Sequence, residues 1–171
     1  MKKLAICICT YKRNESLKEC LMSLEKLNNP STIKIIILIV DNTKSYQSFN
    51  LIKKIKKKFK YKIIQMNESK RGVVHARNKA LKKLRNLNPK YVSFIDDDCT
   101  VNKSWLINIL KIIKLNKADI VTGPQMYFEK QKNINYTKYF EKKYDLNIKK
   151  VKWAATNNVF FLYNIIKNKK L

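Results

Sequence analysis

The sequence predicts an α/β fold, in which helices cover both faces of a largely parallel, doubly wound sheet. Short runs rich in Ile and Val alternate with longer segments whose apolar residues recur at helical spacing, without an internal repeat or a linker. Polar residues directly follow several of the short runs, as expected where parallel strands end at the ligand-binding edge of a sheet. The length of 171 residues and the 45% hydrophobic content fit one globular domain over residues 1–171.

The first half of the chain contains three predicted strands and two predicted helices. Asn14 is a residue type that caps helices, and leucines at helical spacing follow it until Pro30. The run 33–40 has almost no polar alternation, which is typical of a strand covered on both faces. The predicted elements are strand 4–10, a helix from residue 14, strand 33–40, helix 45–59 with Phe49 inward, and strand 62–67.

The second half continues the alternation. Lys70, Arg71 and Gly72 precede a predicted helix 73–87 that turns Val73, Ala76 and Ala80 inward. Strand 91–95 follows, and Ser104 is positioned to cap the next helix. A short strand at 120–122, a less regular segment rich in Lys and aromatic residues at 127–150, and renewed strand character over 153–162 complete the pattern.

Three adjacent carboxylates, Asp96, Asp97 and Asp98, directly follow the predicted strand 91–95. The whole chain has only 12 acidic residues, so three adjacent ones are not expected from the composition alone. Adjacent carboxylates repel one another unless a cation neutralises them, and Mg²⁺ or Mn²⁺ takes oxygen ligands of this kind. A solvated acidic turn is the alternative. Thr10, Asp41 and Asn67 also follow predicted strands, and their convergence on one edge favours a ligand site.

The net charge of +26 suggests anionic partners, although a coding bias towards Lys, Ile and Asn accounts for most of the lysines. The lysines are spread over every predicted helix, which argues against a specific nucleic-acid interface. The spacing of Cys7, Cys9, Cys20 and Cys99 fits neither a zinc site nor a redox motif, and reduced thiols fit a cytoplasmic protein. No apolar run is long enough for a membrane span.

Several nucleotide-binding and hydrolytic motifs are absent from the sequence. There is no GxxxxGK[ST] phosphate loop, no GxGxxG after the first strand and no GxSxG elbow. P-loop enzymes, typical dinucleotide dehydrogenases and α/β-hydrolases are therefore disfavoured.

Five ordered segments resemble the family 2 glycosyltransferases of the GT-A fold. They are CICTYKRNESLKECLMSL, IVDNT, KRGVVHARNKAL, FIDDD and TNN, and together they reach about residue 162. The resemblance implies a three-layer α/β/α, Rossmann-like sheet that is mostly parallel. It also implies inverting, metal-assisted transfer of a sugar from a nucleotide-diphosphate sugar, usually UDP-linked. The acceptor would be an unknown sugar, lipid or protein in cell-envelope polysaccharide biosynthesis.

The same resemblance and the chemistry of the residues define the candidate site. The expected nucleotide-sugar-binding residues are Thr10, Tyr11, Asp41, Arg71, Gly72, Asn78, Asp96 and Asp97, and the expected ligand of Mg²⁺ or Mn²⁺ is Asp98. By the resemblance, Asp41 would accept the imide N–H of uracil and Asp96 would hold the ribose. Arg71 suits bidentate phosphate contacts, and Gly72 allows close backbone approach.

Each of these assignments has a structural alternative. Asp41 could simply cap the following turn, and Arg71 could be one more surface cation. Arg77 could pair with an acid. Trp153 could stack on an acceptor sugar, but a large aromatic residue after a loop is more often part of the core.

The general base is not identifiable. In the family, the general base is a carboxylate that lies beyond the TNN-like strand. None of the acids after Asp98 matches that position; they are Asp119, Glu129, Glu141 and Asp145. We therefore expect a domain that is incomplete at its C-terminal end, with a donor site but weak or no activity alone. A metal-dependent nucleotidyltransferase and a basic polyanion-binding module are the alternatives. We expect a cytoplasmic location, with peripheral contact to the anionic inner face of the membrane compatible with the charge.

Overall fold

A computed structural model describes residues 1–123 and 150–169. The strands in these ranges are β1 (Lys2–Thr10), β2 (Ile33–Asp41), β3 (Lys62–Asn67), β4 (Tyr91–Ile95), β5 (Ile120–Thr122) and β6 (Asn158–Leu162). The helices are α1 (Asn14–Glu25), α2 (Phe49–Lys56), α3 (Val73–Leu87), α4 (Trp105–Asn116) and α5 (Asn164–Lys167). The predicted segment 127–150 lies outside the described residues except for its last residue.

The strands form one sheet in the order β3-β2-β1-β4-β6-β5. β1 pairs in parallel with β2 and with β4, β2 pairs in parallel with β3, and β6 runs antiparallel to both β4 and β5. The predicted mostly parallel sheet is therefore confirmed. β1 lies between β2 and β4, so the strand order reverses at β1. In sheets of this type, ligands bind at this point, in the crevice beyond the carboxyl ends of the two strands.

Two separate apolar clusters lie on the two faces of the sheet. One contains the buried side chains of α1, α2 and α4, including Leu21, Ile52 and Leu106. The other contains Ala76 and Ala80 of α3, whose small side chains let this helix lie close to the sheet. The three-layer arrangement expected from the sequence is therefore present.

Helix α2 is shorter than predicted, since it begins at Phe49 and not at residue 45. The backbone N–H groups of Thr43 and Ser48 both donate to the Asp41 carboxylate, at 2.8 and 2.7 Å, and this draws the chain between them into a turn. Tyr46 in that turn has φ 53°, which is incompatible with a right-handed helix. Residues 45–48 thus form a turn held by the buried Asp41 carboxylate, and not the first turn of the predicted helix.

Smaller predictions were also wrong. Arg13, and not Asn14, is the N-cap residue of α1. Val73 and Phe49 were expected to point inward, yet they are 49% and 44% exposed, because each lies in the first turn of its helix, before the packed face begins. Strand β6 begins only at Asn158. Within the described ranges, no helix has the length and apolar content that crossing a membrane requires.

Candidate functional site

The ends of three strands form one row of polar residues. Thr10 of β1 is in register with Asp41 of β2, which is in register with Asn67 of β3. Thr10 and Asp41 are 3% and 1% exposed. The chain leaves all three strands in the same direction, so the parallel register brings these polar groups to the carboxyl edge, where the sequence predicted them.

Asp41 is fully engaged by its own loop. Its Oδ1 accepts hydrogen bonds from the Thr43 backbone N–H at 2.8 Å and the Thr43 hydroxyl at 2.6 Å. Its Oδ2 accepts one from the Ser48 backbone N–H at 2.7 Å. The turn-capping alternative considered for this residue is therefore realised. A base that hydrogen-bonds Asp41 must use the remaining lone pair of Oδ2, and this requires the covering turn to open.

A pair of asparagines fixes the loops that follow β2 and β3. The Asn42 amide donates to the backbone carbonyls of Glu68 and Lys70 at 2.8 and 2.7 Å, and its oxygen accepts from the Gly72 N–H at 2.8 Å. Asn67 donates to the carbonyls of Asp41 and Thr43 at 3.0 and 2.7 Å. Neither residue was among the predicted nucleotide-sugar-binding residues, although Asn67 was predicted to lie at this edge. Asn42 holds the 68–72 loop, which carries Arg71 and Gly72, and Asn67 holds the loop after β2.

Gly72 has the special backbone conformation suggested by its place in the sequence. Its φ is +131° and its ψ is 133°, a combination open to glycine and rarely adopted by L side chains. It is the N-cap of α3, so the strained residue lies where the 68–72 loop turns into the helix. The half-buried Asn78 lies on the same helix, beside Arg77.

Two arginines contact the acidic triplet. Arg13 Nη1 lies 2.6 Å from Asp98 Oδ2 and 3.3 Å from Asp97 Oδ1, and Arg77 Nη2 lies 3.3 Å from Asp96 Oδ1. Arg13 follows β1 and the acids follow β4, so the first contact spans the crevice between these strands. The alternative in which Arg77 pairs with an acid is what the structure contains.

Asp97 is the buried member of the triplet, at 4% exposure. Within the part of the chain that the structure describes, its Oδ2 is buried and has no hydrogen-bond partner of standard geometry. Burial raises the pKa of Asp97, and the nearby Thr10 hydroxyl and the Arg13 charge oppose this increase. The triplet therefore has one carboxylate oxygen that is desolvated and short of a partner.

Tyr11 and Arg71 are also in contact. The Arg71 guanidinium carbon lies 5.4 Å from the centre of the Tyr11 ring, and the ring is 37% exposed. The contact joins the loop after β1 to the 68–72 loop and leaves a partly exposed aromatic surface at the edge. The structure therefore brings residues from four of the five family-like segments to one edge of the sheet, namely those that contain Tyr11, Asp41, Arg71 and Asp96.

Arg13 is the functional candidate that sequence reasoning missed. The sequence contains four arginines among its 38 basic residues, namely Arg13, Arg71, Arg77 and Arg85. Three of them lie at this edge, and each contacts a side chain there. Because the other basic residues of the chain are lysines, the few arginines in the sequence could have indicated positions with a specific role.

Trp153 is exposed and not part of the core, so the core interpretation was wrong. Its exposed fraction is 77%, and with Val151, Ala155, Thr122 and Gly123 it lines a cavity of about 300 Å³ beyond the end of β5. Nearby, the Trp105 indole N–H donates to Asn158 Oδ1 at 3.1 Å and ties α4 to the start of β6. The cavity lies further along the carboxyl edge than the acids.

The donor set fits a hard divalent cation that also binds phosphate. The described residues hold no cluster of three or more His, Cys, Asp or Glu side chains that could form a complete protein cage. Mg²⁺ commonly uses only one or two carboxylates together with substrate phosphates. Asp98, half-exposed, and the unpartnered Oδ2 of Asp97 offer that number.

The fold is a three-layer α/β domain with a row of polar and charged side chains at the carboxyl edge of its sheet. The chain belongs to Glycosyl transferase family 2, whose sequence model matches residues 5–167. It is 29% identical over 117 residues to the succinoglycan biosynthesis protein ExoM of Rhizobium meliloti, covering 68% of this chain and 37% of that protein. It is 27% identical over 121 residues to the poly(ribitol-phosphate) beta-N-acetylglucosaminyltransferase TarS of Staphylococcus aureus, covering 71% of this chain and 20% of TarS.

Solved structures agree with this assignment. The S. aureus TarS structure in complex with UDP-GlcNAc superimposes with a TM-score of 0.55 at 26% identity, over 74% of this chain and 37% of that one. The mannosyltransferase PcManGT from Pyrobaculum calidifontis, in complex with GDP-Man and Mn²⁺, shares the fold with a TM-score of 0.57 at 18% identity, over 72% of this chain and 35% of that one. The chain thus spans less than two fifths of the length of these relatives.

Proposed function

We propose that this chain binds a UDP-linked sugar and forms the donor-binding part of an inverting, metal-assisted glycosyltransferase. The observation that carries the proposal is the acidic triplet, which lies at the β1–β4 crevice with two arginines on it. Family membership and the UDP-GlcNAc complex of TarS support the same reading. A polysaccharide or related cell-envelope acceptor is suggested by the names of ExoM and TarS.

The strand order suggests how the donor would lie. The row of Thr10, Asp41 and Asn67 belongs to β1, β2 and β3, the acids follow β4, and the Trp153 cavity lies at β5. A nucleotide placed along this edge would have its base near Tyr11 and Asp41 and its ribose near Asp96. Its sugar would point towards the exposed Trp153, whose ring suits stacking against a second sugar.

The acidic and basic residues would bind the diphosphate in different ways. Asp98, with Asp97 beside it, would hold Mg²⁺ or Mn²⁺, which when bound supplies Lewis-acid stabilisation of the leaving diphosphate. Arg71 is placed to contact phosphate from the 68–72 loop, where Gly72 lets the backbone approach. Asn78 would contribute from α3. Arg77, whose Nη2 lies 3.3 Å from Asp96 Oδ1, would hold this carboxylate for ribose binding.

The general base is not provided by Asp119. This residue precedes β5, and β5 runs parallel to β4 because both are antiparallel to β6. Asp119 therefore lies at the edge opposite to the acids. The other late candidates, Glu129, Glu141 and Asp145, lie outside the described residues. We accordingly propose donor binding with weak or no transfer by this chain alone.

A binding experiment tests the donor site. UDP with Mn²⁺ should give a calorimetric signal and, at about 100 times its Kd, stabilise the chain by about 2.7 kcal/mol, which corresponds to a melting temperature roughly 5–10 °C higher. Asp98→Asn should remove most of this effect. Asp119→Asn, which changes the same charge at the opposite edge, should leave it intact. Unchanged melting of the wild-type chain with UDP and Mn²⁺ would refute the proposal.

The same assay separates the alternatives. A nucleotidyltransferase should prefer UTP to UDP. A polyanion-binding module should bind heparin or nucleic acid in a strongly salt-dependent way that Asp98→Ala does not affect. Contact with an anionic membrane surface and a cytoplasmic location stay predictions.

A further inference from the structure

Arg13 occupies the position at which a cation would meet the acidic triplet. A single nitrogen, Nη1, contacts Asp98 Oδ2 at 2.6 Å and Asp97 Oδ1 at 3.3 Å. We propose that Arg13 is a built-in counterion, which competes with the divalent cation for Asp97 and Asp98 and turns to the donor diphosphate when the cation binds. This inference rests on the proposed donor site and adds the order in which that site assembles.

Competition follows from the geometry. Mg²⁺ binds carboxylate oxygens at about 2.0–2.1 Å, closer than any guanidinium, so both cations cannot use the same face of Asp98. A guanidinium left beside a bound divalent cation would also be repelled by it at short range. The arginine and the metal therefore compete for Oδ2 of Asp98.

The side chain of Arg13 is free to make this exchange. Its backbone is fixed, because its carbonyl accepts the Leu17 N–H at 2.9 Å as the first turn of α1 begins. Its side chain is 54% exposed, and within the described residues its hydrogen bonds go only to Asp97 and Asp98. Arg77 is different, since it is only 25% exposed and lies on the packed helix α3.

The contact with Arg13 also stabilises the ionised triplet before a ligand binds. Asp97 is nearly buried and would be costly to keep ionised without a positive neighbour. When a cation replaces Arg13, the released guanidinium loses its partners, and a diphosphate bound to that cation offers new ones within the same crevice. Metal and diphosphate should therefore assist each other through Arg13.

Arg13→Gln tests the inference with two probes that do not require activity. Titrated with Mn²⁺ alone, followed by electron paramagnetic resonance of the free ion, the variant should bind about fivefold more tightly than wild type, as expected for loss of an exposed ion pair. Titrated with UDP at saturating Mn²⁺, where Arg13 is expected to contact the diphosphate, it should bind UDP about fivefold more weakly. Arg13→Lys, which keeps the charge, should stay closer to wild type in both titrations.

Arg85→Gln is the matched control. It removes the same charge from an exposed position at the far end of α3, so it measures the general effect of net charge on ion binding. Far-ultraviolet circular dichroism should show that every variant is folded, since Arg13 and Arg85 contribute nothing to the core.

The outcomes are distinguishable from those of the donor-binding test. If Arg13→Gln binds Mn²⁺ no more tightly than Arg85→Gln, or if neither variant binds Mn²⁺, Arg13 does not compete with the metal and the inference is overturned. Unchanged UDP binding at saturating Mn²⁺ would overturn its second half. The proposed function fails on a different result, namely no response of wild type to UDP and Mn²⁺ together.

Discussion

Asp41 shows how one buried carboxylate shapes the loop around it. Two backbone N–H groups and one hydroxyl donate to its two oxygens, and together they turn residues 42–48 away from the helix that the sequence predicted. A residue expected to recognise the nucleotide base is thus first a structural residue. Base recognition, if it uses Asp41, is coupled to the conformation of this turn.

Asp41→Asn should therefore destabilise the fold. The amide nitrogen of asparagine cannot accept a hydrogen bond, so at least one buried N–H loses its partner, and we expect a loss of about 2–3 kcal/mol in the free energy of unfolding. Urea denaturation measures this change. Asp119→Asn, at an exposed position, should change stability by less than about 0.5 kcal/mol. Normal stability of Asp41→Asn with selective loss of UDP binding would instead favour direct base recognition.

At the scale of elements, the 68–72 loop depends on a side chain from another strand end. Asn42, which follows β2, satisfies two carbonyls and one N–H of that loop. The loop then presents Arg71 to Tyr11 and delivers the chain to α3. The donor site is consequently assembled by the connection between two loops, and not by either loop alone.

Asn42→Ala should weaken both the fold and the site. Three backbone groups would lose a partner, and we expect a cost of about 2 kcal/mol together with weaker UDP binding, because Arg71 is no longer held. Urea denaturation and calorimetry check the two effects. The control is Asn116→Ala, since Asn116 donates only to the Ile112 carbonyl at the exposed end of α4. Equal costs for the two variants would show that the 68–72 loop is held by other means.

Gly72→Ala probes the same loop through its backbone. An L residue is strained at φ +131°, and the added Cβ would also lie 3.4 Å from the His75 ring. We expect a loss of about 1–3 kcal/mol. Lys70→Ala, in the same loop but without positive φ, should be nearly neutral in thermal melting. A neutral Gly72→Ala would mean that the loop can relax to an ordinary conformation.

At the scale of the whole molecule, the dominant feature is the charge of +26 on 171 residues. Self-repulsion of this size opposes compactness and should be relieved by salt, because the Debye length falls from about 30 Å at 0.01 M to about 8 Å at 0.15 M. We expect the melting temperature to rise by a few degrees over this range. Arg85→Gln, which removes an exposed charge that makes no ion pair within the described residues, should reduce the slope slightly. A melting temperature that falls with salt would show that attractive surface pairs outweigh the repulsion.

The sequence predicted the elements that periodicity controls and missed those that depend on distant partners. Strands β3, β4 and β5 and helix α3 begin and end where the apolar pattern changes. The start of α2 could not be predicted, because it depends on a carboxylate seven residues away, and the exposure of Trp153 depends on which strands close the sheet. Arg13 meets Asp98 only through the crossover that places β1 beside β4, a contact between residues 85 positions apart.

The position of β6 has a consequence for folding during synthesis. Residues 2–95 contain β1 to β4, which are adjacent in the sheet and pair with one another in parallel. Until residues 158–162 emerge, β4 is an open edge strand, and the order of the chain delays its last partner by more than sixty residues, as in the pairing of Ser93 with Phe160. An exposed strand edge favours wrong association. The acidic loop after β4 therefore adjoins a strand whose edge stays open until β6 has been synthesised.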